Sequence, residues 1–184
     1  VSLLPERYHK KPLVVPMMSF IGDLDKRLKK KKVPKPVQRF IEEHVRVGKR
    51  FLLFVPRITL LGPIEAALRR QFPNAKFETV SSKEIYRQER IAKMRAGELD
   101  FLVTTTILER GVTFPGVDVC VINAHEEEFS REVLVQIAGR VGRTAGCPTG
   151  EVVYFHNGKT KAMVQAVREI EDLNRQALLG REHG

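Results

Sequence analysis

Two arginines three residues apart, Arg140 and Arg143, stand in the string Gln136-Ile137-Ala138-Gly139-Arg140-Val141-Gly142-Arg143. On one helical turn, side chains at that spacing point the same way. Two converging planar guanidinium groups suit a transferring phosphoryl group, whose charge spreads over several oxygens. Gly139 and Gly142 keep the surface between them bare, so another domain can approach closely. A basic helix end with a glycine-rich cap would give the same string, so the string alone does not decide.

Upstream, Val103-Thr104-Thr105-Thr106-Ile107-Leu108-Glu109-Arg110-Gly111 places three hydroxyls at the end of an apolar run. Hydroxyls and free N–H groups at a strand's end are well placed to hold nucleic-acid phosphates. Threonine also simply suits strands, which is the blander account. Gly158-Lys159-Thr160 resembles the tail of a phosphate-binding loop, but Val153 stands where that loop needs a glycine. The nest of N–H groups would be missing, so the segment is read as a strand-to-helix turn. No Asp-Glu-x-Asp/His box occurs; Glu126-Glu127-Glu128 lacks a following His. If a nucleotide is bound, its Mg²⁺ carboxylates and hydrolytic base must lie on another domain. His9, His44, His125, His156 and His183 show no ligand spacing, and only Cys120 and Cys147 are present. Neither a metal site nor a disulfide scaffold is expected.

These residues need a scaffold, and the hydropathy pattern supplies one. The runs Phe51–Val55, Lys76–Val80, Phe101–Thr104, Val117–Ile122 and Glu151–Phe155 read as strands, the first as one buried on both faces. Helical periodicity falls between them: Val37 to Val45 closed by Gly48, Ile64 to Phe72 behind Pro63, and a helix after Ser81-Ser82-Lys83-Glu84 ending at Gly97. Ser81 and Glu84 offer a capping box for that helix. Ser130 should cap a helix through Gln136, and a long final helix carries Met163, Val167 and Ile170. Strands alternating with helices and short connections predict an α/β fold with a mostly parallel sheet of five or more strands and helices on both faces. In such sheets chemistry gathers at the carboxyl ends of the strands. Residues 1–18 read as an extended lead-in, and Ser19 as the cap of a short basic helix carrying Phe20, Leu24 and Leu28. The organisation is therefore 1–35 lead-in and basic helix, then 36–184 as one domain.

Charge is uneven. The net charge is +10, and residues 1–50 hold 14 Lys/Arg against 5 Asp/Glu, leaving 18 against 17 elsewhere. The local run Lys29-Lys30-Lys31-Lys32 can contact a polyanion, although a solvated helix end or linker explains it more simply. No apolar stretch is long enough to span a bilayer, and no signal-peptide layout opens the chain. A cytoplasmic protein, peripheral to a membrane at most, is expected. Val1 in place of an initiator Met suggests a piece of a longer chain.

Three segments in order resemble motifs of superfamily-2 helicases: Leu53-Phe54-Val55-Pro56-Arg57 motif IV, Val103 to Val117 motif V, and Gln136 to Arg143 motif VI. The resemblance covers about residues 36–178 and implies the second RecA-like domain of a motor, a three-layer sandwich. It implies that Arg140 and Arg143 are arginine fingers on ATP. Gln136, Gly139, Glu109 and Gly111 would lie near the nucleotide, and Thr105, Thr106, Arg57, Ser81 and Ser82 at the nucleic-acid backbone. Thr113 departs from the Asp that many DEAD-box relatives carry there, so ribose contact at that position is not implied. Leu4-Pro5-x-Arg7-Tyr8-His9, Pro12-Leu13 and Tyr154-Phe155-His156-x-Gly158-Lys159 narrow the resemblance to the helicase family of competence DNA uptake, ComFA. The primosome-type (PriA-like) helicases and a non-motor α/β nucleic-acid-binding module stay open as alternatives. The implied partners are single-stranded DNA, an absent first RecA-like domain and membrane-bound uptake proteins. ATP and Mg²⁺ would be held mainly by that first domain, so this piece alone is expected to hydrolyse almost nothing.

Overall fold

The computed structural model describes residues 13–105, 114, 116–141 and 150–183. The apolar runs become strands because each offers side chains to both faces: all four residues of β2 (Phe51–Phe54), β4 (Phe101–Thr104) and β5 (Asp118–Val121) are buried. With β1 (Met17–Phe20), β3 (Phe77–Val80) and β6 (Val152–His156) they form one sheet in the order β1-β6-β5-β2-β4-β3. Every pairing is parallel, with Phe54 level with Thr104 and Val121, and Val80 level with Thr104.

Parallel neighbours require crossovers, and the helices provide them on both faces. The helices α1 (Leu24–Lys29), α2 (Lys35–Val47) and α3 (Leu61–Gln71) cover one face. There Leu24, Ile41, Ile64 and Leu68 close on Phe51, Leu53, Phe101 and Phe155. The helices α4 (Arg87–Arg95), α5 (Arg131–Ala138) and α6 (Lys161–His183) cover the other. Met94, Leu134, Ile137 and Ile170 close there on Leu52, Leu102, Val121 and Tyr154. The expected three-layer RecA-like arrangement is the one observed. The caps read from sequence hold at Gly48, left-handed at φ 74°, and at Ser130, whose hydroxyl accepts the Val133 N–H at 3.2 Å.

Two local expectations fail. The segment read as lead-in and helix cap is strand β1, and α1 starts later, behind Asp23, whose carboxylate accepts the Lys26 N–H. The side chains of β1 are exposed or half-buried, with Met18 packed against the core, so the strand belongs to the sheet chiefly through its backbone ladder to β6. Ser81 and Glu84 form no capping box. Ser81 accepts the Glu84 N–H at its carbonyl and the Lys83 N–H at its hydroxyl, so the chain turns there and α4 begins only at Arg87.

Candidate nucleotide and nucleic-acid site

The register decides which functional side chains meet. Val80, Thr104 and Phe54 end their strands level, so Ser81, Thr105 and the Val55-Pro56-Arg57 turn leave the sheet side by side at its carboxyl edge. The Val55 N–H donates to the Thr104 carbonyl at 2.8 Å and extends the ladder one step further. Ser82 is exposed and Ser81 half-exposed. Thr105 is 3% exposed, and its hydroxyl finds no hydrogen-bond partner among the described residues. It is thus a buried polar group just beneath the rim rather than a surface contact. Arg57 is partly exposed and ion-paired with Glu126, whose other oxygen accepts the Asn123 side-chain amide at 2.6 Å. Asn123 adopts a left-handed backbone, φ 55°, which turns the chain sharply after β5. Thr106, Glu109, Gly111 and Thr113 lie outside the described residues, as does Arg143.

Arg140 is placed elsewhere, and this corrects the expectation that all the chemistry gathers at the carboxyl edge. Helix α5 starts at that edge, behind Ser130, and runs back along the sheet, so its end lies near the opposite edge. Three contacts fix it there. Val141 makes a parallel bridge to Phe114. Gly150 lies so close to Val141 that a Cβ would come within 2.5 Å of its Cγ1. Asp118, the first residue of β5, accepts the Glu151 N–H at 3.0 Å. Arg140 is half-buried, and desolvation draws its guanidinium pKa below the usual value. Gln136 is exposed on the outer side of α5, and Gly139 is half-exposed at its end. Among the described residues, Gly139 and Arg140 therefore lie at one end of the domain, and Ser81, Thr105 and Arg57 at the other.

A polar cavity of about 300 Å³ opens at the carboxyl edge, lined by Asp23, Asp25, Arg57, Asn123, His125 and Glu126 among others. Three carboxylates against one arginine make it a poor phosphate pocket. His125 is held below its usual pKa by burial, and its Nδ1 accepts the Asn157 N–H at 3.0 Å, so it serves as a neutral acceptor. At the amino edge sequence spacing missed a cluster. His44 Nε2 lies 2.8 Å from Asp118 Oδ2 and 3.7 Å from Glu151 Oε2, with Lys49 Nζ 4.0 Å from Asp118 Oδ1. Among the described residues this is the one trio of metal-ligating groups within reach of a common ion. Its atoms already satisfy one another, two cations against two carboxylates, so it reads as an internal ion pair. Nothing local could have revealed it, because the partners lie 74 residues apart.

The comparisons with known proteins agree with this geometry. The family model described as helicase conserved C-terminal domain matches residues 32–145. The chain is 41% identical over 174 residues to the competence protein ComFA of Bacillus subtilis, covering 95% of this chain and 37% of that protein. It is 38% identical to ComFA of Streptococcus pneumoniae, covering 95% and 40%. The chain thus spans about two fifths of the length of these relatives. Among solved structures, domain 2 of the DEAD-box helicase Mss116p, bound to an RNA duplex, superposes with TM-score 0.57 at 21% identity, over 85% of this chain and 58% of that one. Among the described residues no helix is long and apolar enough to cross a membrane. The parallel sheet, the threonine-bearing end of β4, the glycine-arginine end of α5 and the matched family model converge: this chain belongs to the helicase conserved C-terminal domain family, within superfamily 2, and resembles the ComFA proteins.

Proposed function

We propose that the chain is the C-terminal motor half of an ATP-dependent translocase that draws single-stranded DNA into the cell during competence. The observation that carries this reading is the split between the strand-end rim of Ser81, Ser82 and Arg57 and the half-buried Arg140 at the far end of α5. Two chemistries at two ends of one body are what a motor domain needs.

ATP and Mg²⁺ would sit chiefly on a preceding RecA-like domain and supply the phosphoryl transfer. Arg140 fits such a partner because its cation is already partly desolvated, so an anion approaching it loses less to water. Arg143, read from the sequence motif, would join it, with Gln136, Gly139, Glu109 and Gly111 around the nucleotide. A tighter grip on ATP than on ADP would close and reopen the cleft between the two domains. Single-stranded DNA would lie along the rim, held through its phosphates by Arg57, Ser81, Ser82 and Thr106. Thr105 would reach it only after a local shift that exposes its hydroxyl. Such binding is independent of sequence and sensitive to salt. The protein would work at the inner face of the membrane beside uptake proteins.

The test is ATP turnover by the full-length protein with single-stranded DNA, duplex DNA and RNA. Stimulation by single-stranded DNA, abolished by Arg143→Ala or Arg140→Ala with DNA binding retained, is the expected result. Vigorous turnover by residues 1–184 alone would refute it.

A further inference from the structure

Beside Thr105 the rim carries two large side chains that no described residue covers. Ile85 is 83% exposed and Tyr86 54% exposed. They sit in the turn between β3 and α4, which leaves the sheet next to Thr105 because Val80 and Thr104 are in register. We propose that Tyr86 is a stacking platform for an unpaired nucleobase, so that the chain grips single-stranded DNA by a base as well as by its phosphates. The inference rests on the nucleic-acid reading above and extends it.

The turn is built to present that ring. The Glu84 carboxylate accepts the Tyr86 N–H at 3.1 Å and, through its other oxygen, Arg90 Nη1 at 3.0 Å. Arg90 also donates to the Thr79 carbonyl at 2.7 Å and pairs with Glu78 at 3.2 Å, tying the turn back to β3. Its guanidinium lies 5.9 Å from the Tyr86 ring centre. The Glu84 N–H bonds the Ser81 carbonyl, and the Lys83 N–H the Ser81 hydroxyl. A turn fastened this thoroughly has already lost its conformational freedom in folding, so binding to it carries little further ordering cost.

Charge selects the occupant. Residues 83–95 carry Lys83, Arg87, Arg90, Lys93 and Arg95 against Glu84 and Glu89. With Arg90 beside the ring, this aromatic face in a basic stretch suits a base attached to a phosphate backbone. The core of a protein interface is depleted of charge, and two such side chains within so charged a stretch of chain do not resemble one. A duplex keeps its base faces stacked inside, so the ligand is a single strand.

The test separates base from backbone. The full-length protein is titrated, by fluorescence anisotropy, into labelled oligothymidylate and into an abasic strand of equal length. Tyr86→Ala should weaken oligothymidylate binding about five- to a hundred-fold, the range that one stacked base supplies. Abasic binding should stay the same, and Tyr86→Phe should retain the preference for bases. Equal weakening on both strands would mean that Tyr86 touches backbone or another protein surface, and no weakening would mean that it touches neither; each overturns the inference alone. Failure of the unaltered protein to bind either strand would overturn the nucleic-acid reading and this inference with it. Tyr86 caps α4 without a side-chain bond, so its replacement leaves the fold intact, which circular dichroism checks.

Discussion

Replacing His44 by Ala should destabilise the domain by about 3–4 kcal/mol. The His44 ring is buried, stacked on Phe40 with centroids 3.9 Å apart. Its Nδ1 lies 2.8 Å from the Phe40 carbonyl, which can only accept, so Nδ1 carries a proton. Nε2 faces the Asp118 carboxylate, which also accepts, so the ring is an imidazolium. Truncation leaves Asp118 Oδ2 buried and bare, while Oδ1 keeps the Glu151 N–H and Lys49. Breaking a buried pair costs about 3–5 kcal/mol; the surviving donors favour the low end, and the lost stacking adds roughly 0.5–1. In a domain of this size that lowers Tm by about 6–15 °C, measurable by circular dichroism. The pH dependence is a second readout. Burial alone would lower the His44 pKa, but the bonds to Asp118 and the Phe40 carbonyl, with the Asp118 and Glu151 charges, raise it above the ordinary value. The folded state therefore holds an extra proton above the unfolded pKa of about 6.5, and stability falls as pH rises from there through the folded value. His125 and His156 are lowered instead, so they make stability rise with pH below about 6.5. Between pH 6.5 and 8 the unaltered chain should lose stability with a slope that His44→Ala abolishes. An unchanged slope, or a Tm within about 2 °C of the unaltered chain's, would refute the charged-pair assignment.

Two further outcomes follow from single contacts. Gly150→Ala puts a methyl 2.5 Å from Val141 Cγ1 and 3.1 Å from Val14 Cγ2, both on branched side chains with little room to turn. It should cost about 1–3 kcal/mol in a urea titration, and an unchanged midpoint would show that the Val141 contact relaxes freely. Glu126→Gln removes the carboxylate that occupies Arg57. On the proposed function it should tighten single-stranded DNA binding and steepen the log–log salt dependence by about 0.7; an unchanged slope would place Arg57 off the phosphates.

Five of the six strands were legible, Phe51–Phe54 most plainly because a strand buried on both faces is largely apolar. Strand β1 was not, because its side chains are exposed or half-buried, with only Met18 packed against the core, and its ladder to β6 holds it. The turn at Ser81 misled because Ser and Glu at that spacing serve a helix start or a plain turn equally well, and only Arg90 decides between them here. Arg140 was expected at the carboxyl edge, whereas the end of α5 lies near the amino edge. The signal was available: a helix joining two parallel strands must run back along them, so its last residues lie opposite its first. Thr105 was legible by type, but its burial was not, since burial at a strand end depends on neighbours brought in by the register. The Asp118 cluster depends wholly on tertiary structure.

The placement of α5 suggests how the two ends of the domain would communicate. Eight residues of helix span about 12 Å from Ser130 at the carboxyl edge to Gly139 beside Arg140. Leu134, Val135, Ile137 and Ala138 are packed into the same core that contains Phe114, Val121 and Tyr154, and the Tyr154 hydroxyl donates to the Leu134 carbonyl at 2.8 Å. With no hinge between them, an arginine end drawn toward a nucleotide would carry the rim with it as one body. Ile137 sits at the end of that lever, 3% exposed, and Ile137→Val loosens it for about 0.5–1.5 kcal/mol, too little to unfold the domain. If α5 transmits the coupling, stimulation of ATP turnover by single-stranded DNA in the full-length protein should fall about two- to thirty-fold, with the unstimulated rate preserved. An equal fall in both rates would locate the defect in the nucleotide site itself, and no fall in either would mean that the two ends communicate by a path that bypasses this helix.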